Sequence, residues 1–189
     1  MKKQLSFSRR NFISAASVFA LGTTMMSFRK NPNLLSVPET DKKNLWDKFT
    51  AEEKKLIEDS RMAKSIIEIE SGSCAEKVLL TSLRFFDKPD ELVCFAASFG
   101  GGIKHGDLCG MLTGGFMSIG LAADNLYKDD GKRSTFVREA TREFLEWWEE
   151  LAPCHCNELK PKYVGDSENF NRMLQRVALK LEDMLKPKV

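Results

Sequence analysis

Residues 108–126 read L-C-G-M-L-T-G-G-F-M-S-I-G-L-A-A-D-N-L and carry no charge before Asp124. Gly110, Gly114, Ser118 and Ala122 recur at every fourth position, so one face of a helix here is lined by small residues. Such a stripe lets another backbone approach closely, and in a bilayer it is a helix-association motif. The uncharged part, residues 108–123, falls short of the roughly 20 residues a membrane span requires. The stretch therefore reads as the buried central helix of a bundle, capped at its start by Asp107.

The flanking sequence is helical too. Thr50 and Glu53 form a capping box, and Leu56, Ala63, Ile66, Ile67 and Ile69 continue a helical face to near Gly72. Ser73 and Glu76 form a second box, opening a helix from Cys74 to about Phe86 that stops at Asp87-Lys88-Pro89. Pro89 suits a first helical position, and Leu92, Val93, Ala96 and Phe99 extend a short helix up to Gly100-Gly101-Gly102. Beyond the central helix, Ser134 starts another with Val137, Phe144, Leu145, Trp148 and Leu151 inward, closed by Pro153. The last helix, about Ser167 to Lys186, aligns Phe170, Leu174, Val177, Leu181 and Leu185. Its predecessor's acid-rich stretch, 139–150, reads as a solvated face, with Trp147 and Trp148 as rim and core. No segment alternates with period two. The class is all-α, a single bundle of five or six helices around a Gly-rich central helix.

Residues 1–30 read differently. Met1 to Arg10 is basic and acid-free, Arg9-Arg10 stand just before an uncharged run from Phe12 to Phe28, and the frame is S-R-R-N-F-I. A basic segment before an apolar core is a secretory signal, and paired arginines make it the twin-arginine variant. Two fates are open, a cleaved signal and a retained anchor; the 17-residue apolar run, broken by Gly22, Thr23 and Thr24, favours cleavage. The expectation is export through the twin-arginine machinery to the periplasm, followed by a linker over 31–43 and a folded domain over 44–189.

The formal charge of +2 belongs to that leader. Residues 1–30 hold six basic side chains and no acid, leaving 23 basic against 27 acidic residues in the body. A mildly acidic body excludes nucleic acid as a partner, because phosphate binding needs clustered Lys and Arg. With 42% hydrophobic and 30% charged residues, the composition suits a soluble globular protein rather than a disordered one.

Chemistry is concentrated in five cysteines, Cys74, Cys94, Cys109, Cys154 and Cys156, and two histidines, His105 and His155. An odd number of cysteines cannot all pair within one chain. Cys74 falls at the first position of a helix and Cys109 at about the second position of another. Exposed amides and the positive end of a helix dipole there stabilise a thiolate and lower its pKa. Asp107 opposes this at Cys109, whereas a protonated His105 assists it. Cys154 and Cys156, at i and i+2, converge more readily on a metal or a distant cysteine than on each other. Cys94, beside Phe95 and Ala96, reads as a core residue.

The runs G-S-C-A-E-K-V-L-L (72–80), F-G-G-G-I-K-H-G-D-L-C-G-M-L-T-G-G-F-M-S-I-G-L (99–121) and C-N-E-L (156–159) together resemble the putative redox-active family with the C…GCAxxG…C…C cysteine pattern. The resemblance covers about Ala63 to Leu185. It matches Cys74 to the family's first cysteine, Cys109 with Gly110 and Gly114 to its second, and Cys156 to its third. A fourth is implied near Glu168 to Asn171, where this chain has none; Cys154 is an extra.

Three functions follow. The first is thiol redox chemistry, as a dithiol/disulfide or electron carrier with an unidentified redox partner, through Cys74, Cys109 and Cys156. The second is a metal site, zinc or an iron–sulfur cluster, on Cys74, Cys109, Cys154 and Cys156, with His105 or His155 able to complete a zinc-like set. The third is a non-catalytic helical subunit whose small-residue stripe forms a homodimer face. No C-x-x-C-H haem attachment, phosphate loop, nucleophile elbow or H-E-x-x-H is present.

Overall fold

A computed structural model describes residues 43–186; the leader and most of the linker read from the sequence lie outside the described residues. The α-helices are α1 (Ala51–Asp59), α2 (Arg61–Glu68), α3 (Cys74–Phe85), α4 (Gly110–Leu126), α5 (Asp130–Glu149), the single turn α6 (Cys156–Leu159) and α7 (Ser167–Leu185). Short 3-10 helices occupy Asp90–Ala96 and Lys160–Lys162. Among the described residues there is no strand, only an isolated antiparallel bridge between Leu108 and His155. The class is all-α, as the sequence periodicities require.

Both capping boxes form. Thr50 and Glu53 exchange bonds at the start of α1, and Ser73 and Glu76 at the start of α3. The single helix expected from Thr50 to near Gly72 is instead two. Ser60 breaks it, its hydroxyl accepting from the Ala63 N–H and donating to the buried Glu182 carboxylate at 2.6 Å. Glu182 also accepts the Met62 N–H at 2.8 Å. A serine that can bond its own neighbourhood competes with helix continuation, and a carboxylate waiting on α7 decides the contest. The break shifts the helical phase, so Ile57 is buried while Leu56 and Ile67 are exposed.

Other boundaries moved for similar reasons. Asp129, not Ser134, caps α5, accepting from the Lys132 N–H. Cys109, not Asp107, is the N-cap of α4. The segment after Pro89 is a 3-10 helix, too tight to give a continuous apolar face. Cys94 and Phe95 are consequently exposed, against the core role expected for Cys94.

Helix α4 lies in the middle. All four residues of its small stripe are buried, and the stripe faces α3 within the same chain: a Cβ on Gly114 would stand 2.8 Å from the Ala75 carbonyl oxygen and 2.9 Å from the Val78 Cβ. That contact occupies the Gly110 and Gly114 part of the stripe. On another side α4 meets α5, where Gly115 admits the Phe144 ring and Phe116 packs edge-on to it at 6.0 Å. Phe144 and Trp148 are fully buried. The Trp148 indole N–H donates to the Pro153 carbonyl at 3.0 Å, tying the end of α5 to the loop that carries Cys154 and Cys156.

Arg176 on α7 anchors the first described residues. It is buried, donates to the Leu45 and Asp47 carbonyls at 2.6 and 2.8 Å and to the Glu53 carboxylate at 2.9 Å, and lies over the Phe49 ring. Partial burial pushes the Glu53 carboxyl up, but Arg176, Lys43 and the Thr50 amide outweigh it and hold its pKa at about 2. A depressed carboxyl stabilises the fold above the unfolded pKa of about 4.3, and this contribution fades as pH falls toward 2. Arg176→Ala, which removes the guanidinium from Glu53 and from four backbone carbonyls, is expected to cost about 3 kcal/mol in denaturant unfolding at neutral pH. The variant is also expected to show a weaker decline in stability between about pH 5 and 2 than the wild type, since Lys43 and the Thr50 amide still act on Glu53. Gly114→Ala and Gly120→Ala give an opposed pair. Nothing lies within 4 Å of a Cβ at Gly120, so helix propensity raises stability there by about 1 kcal/mol. The same change at Gly114 lowers the melting temperature by forcing α3 and α4 apart.

Candidate functional site

Three chain segments converge at one end of α3 and α4. Cys74 opens α3 behind its Ser73 cap. Gly100 then packs on Ser73 so tightly that a Cβ would stand 2.2 Å from the serine Cβ. The chain turns through four successive left-handed residues, Gly101, Gly102, Ile103 and Lys104, with φ of 64°, 63°, 54° and 59°. Only glycine takes that conformation freely, and Ile103, being β-branched, is strained by it. At Gly102 glycine is required twice over, because a Cβ would lie 2.4 Å from the Asp107 carbonyl oxygen and 2.8 Å from the Cys156 Cβ.

The turn delivers residues 107–109 to residues 154–156. The Cys156 N–H donates to the Asp107 carbonyl at 2.7 Å, and the Cys109 N–H to the Cys154 carbonyl at 2.8 Å. The Asp107 carboxylate pairs with His155 Nδ1 at 3.0 Å and so neither caps α4 nor opposes Cys109 as expected. Gly110 brings the start of α4 against α3, where a Cβ would be 3.1 Å from the Cys74 Cβ. Cys74, Cys109 and Cys156 are thereby gathered, with exposures of 8%, 1% and 2%. All five cysteines are free thiols.

The fourth member of the cluster is a residue the sequence reading passed over. The Tyr163 hydroxyl lies 3.7 Å from Cys156 Sγ and also acts on the Cys74 thiol, favouring its ionised form. Its ring packs against Phe170 at 5.2 Å. A tyrosine in K-P-K-Y-V-G-D carries no local signal of such a role. Lys77 was more legible. Three residues after Cys74 it shares a helical face with it; its ammonium is buried, donates to the Ile69 carbonyl and acts on the Cys74 thiol.

The electrostatics reverse the expectation of activated thiolates. Burial raises the Cys74 pKa, and the charge of Cys156 adds to this; its own amide, the Tyr163 hydroxyl and Lys77 pull the other way. Burial likewise pushes Cys109 up to about 12 despite the Met111 and Leu112 amides, with Cys74 and Cys156 contributing. The helix-start amides act as expected, and desolvation outweighs them. Burial also raises the Tyr163 phenol, and the three thiols add to it. His105 is exposed in the left-handed turn and is not among the groups shifting Cys109.

Cys154 stands apart. Its thiol is half-buried and raised by burial and by Glu149 and Glu158. His155 is exposed. Among the described residues, no three or more His, Cys, Asp or Glu side chains form a group able to hold a metal ion. The four-thiolate zinc or iron–sulfur ligand set, with His105 or His155 completing it, is therefore not assembled in this arrangement.

Residues 73–184 match the family model described as "putative redox-active protein (C_GCAxxG_C_C)". The chain belongs to this family. No curated protein and no solved structure matches it. The family match begins at the cap of α3 and ends within α7, so it takes in all three gathered cysteines.

If Gly102 holds the site together, Gly102→Ala will reduce stability by about 2–3 kcal/mol, combining left-handed strain with overpacking. Cys156 will then be alkylated faster than in the wild type at a denaturant concentration where both chains remain folded. Unchanged protection of Cys156 would mean that the turn does not set its position.

Proposed function

We propose that the protein is a thiol–disulfide redox carrier acting through Cys74, Cys109 and Cys156. The observation carrying this reading is the convergence of three thiols, from three separate chain segments, on one buried cluster. Cysteines that merely pack need no such meeting, and the glycines that permit it are costly elsewhere.

The partner is a disulfide, small or protein-borne. The Cys74 thiolate, the most exposed of the three, attacks one partner sulfur; a mixed disulfide forms and the other partner sulfur leaves as thiolate. The Cys156 thiolate then attacks Cys74 Sγ, forming Cys74–Cys156 and releasing the second partner thiol. The protein dithiol loses two electrons and two protons, and the partner disulfide gains them. Cys109, with its thiol pushed up to about 12, is the slower alternative partner of Cys74, reacting only through its small thiolate fraction. The reverse sequence reduces the carrier.

Export through the twin-arginine machinery, with residues 1–30 as signal, complements this reading, since an oxidising compartment sustains the disulfide form.

The test is to titrate reduced protein with glutathione disulfide and map linkages by peptide mass spectrometry. A Cys74–Cys156 disulfide is expected, absent in Cys74→Ala and Cys156→Ala and kept in Cys94→Ala. Because the Cys74 thiol is raised and only thiolate reacts, the rate should climb about tenfold per pH unit through neutrality and beyond the ordinary thiol range near 8.5. A chain that forms no disulfide among the three cysteines would sink the proposal.

A further inference from the structure

We infer that Tyr163 is a working part of the thiol site: its phenol O–H is donated to the thiolate formed at Cys74 or Cys156 and holds that sulfur in place for exchange. The inference rests on the redox reading of those two cysteines and adds the group that serves them both.

Geometry carries it. One hydroxyl lies 3.7 Å from the Cys156 sulfur and also acts on the Cys74 thiol, which comes from a different helix. Between a neutral thiol and a phenol either atom can donate. Once a sulfur is ionised only the phenol can, and a hydrogen bond to a charged acceptor is about twice as strong as a neutral one. The phenol is fitted to stay the donor, because burial and the surrounding sulfurs disfavour its own ionisation. The other titratable groups acting on the Cys74 thiol are Cys156 and Lys77; Cys109 completes the set around the phenol. Lys77 is already engaged with the Ile69 carbonyl, which leaves Tyr163 as the side chain able to follow the charge from one sulfur to the other. No proton is consumed: each attacking thiol gives its proton to solvent, and the phenol keeps its own throughout.

Position in the fold supports the same role. Tyr163 stands between Cys156 and the last helix. Its ring also helps line an open surface groove of about 530 Å³ with Val164, Asp166 and Phe170. One side chain thus meets the buried Cys156 sulfur at its tip and lines the surface groove.

The experiment compares alkylation of Cys74 and Cys156 by iodoacetamide in the reduced full chain and in Tyr163→Phe, residue by residue and across pH. The variant keeps the ring on Phe170, so its melting temperature should change little. The Cys74 rate at about pH 8 is expected to fall roughly five- to tenfold and its pH profile to move to the alkaline side. Superimposable profiles, or faster alkylation in the variant, would overturn the inference. Should Tyr163→Phe fail to fold, the phenol can be read directly. The chain has two tyrosines, so absorbance titration in Tyr127→Phe isolates Tyr163. Phenolate should appear at lower pH once Cys74 and Cys156 are both replaced by Ala, and an unmoved titration overturns the inference. Glutathione disulfide separates the two readings. Failure of the wild type to form Cys74–Cys156 removes the redox reading, whereas disulfide formation with unshifted alkylation removes the role of Tyr163 alone.

Discussion

The close approach of α4 to α3 is the contact on which the rest depends. At Gly114 there is no room for a side chain and at Gly110 the fit is tight, so the start of α4 lies against the start of α3, where Cys109 and Cys74 stand. Any residue larger than glycine would separate the helices at the end where the thiols must meet. The same logic extends across the site, with Gly100 seated on Ser73 and Gly102 on Asp107 and Cys156. Gly100, Gly102, Gly114 and Gly115 are thus spatial requirements at successive contacts, and the four left-handed residues of the turn are what that route demands of the backbone.

Burial then sets the chemistry. Helix-start amides, a nearby ammonium and a phenol all favour thiolate at Cys74, and still its pKa lies above the ordinary value because water has been removed. Cys109 shows the same balance more strongly. An exposed thiol with those helpers would be a general-purpose nucleophile, open to any oxidant. Buried thiols held in the neutral form are quiet toward bulk solvent, and their reactivity waits on local charge stabilisation.

Much of this was legible. Both capping boxes, the central helix and the aligned face of α7 follow from periodicity and from serine or threonine three residues before glutamate. The cysteines to single out were also legible: Cys74 and Cys109 sit in segments bearing helix-start and glycine signals, and Cys156 was marked by its spacing from Cys154 and by the family resemblance. What local sequence could not supply was the long-range partner. Ser60 looks like an ordinary helical residue until Glu182, far along the chain, accepts its hydroxyl. Asp107 looks like a cap until His155 takes its carboxylate. Cys94 looks apolar and internal, but a 3-10 turn points it outward. Thiolate activation failed as an expectation because helix dipoles are local and desolvation belongs to the whole fold.

Tyr163 brings these strands together. The Cys156 turn is held by Asp107, the Trp148–Pro153 bond fixes the loop before it, and the 3-10 turn at Lys160–Lys162 leads directly into the tyrosine. Each constraint shortens the freedom of the next, so a hydroxyl at the end of this path is placed by the bundle and not by its immediate neighbours. Within a desolvated cluster, one pre-placed donor changes the thiolate's free energy by more than the same bond would in water. On the proposed reading the arrangement separates two properties that a solvent-exposed cysteine cannot separate: protection of the resting thiols, set by burial, and stabilisation of the reacting one, to which the phenol adds its hydrogen bond beside the helix-start amide and Lys77.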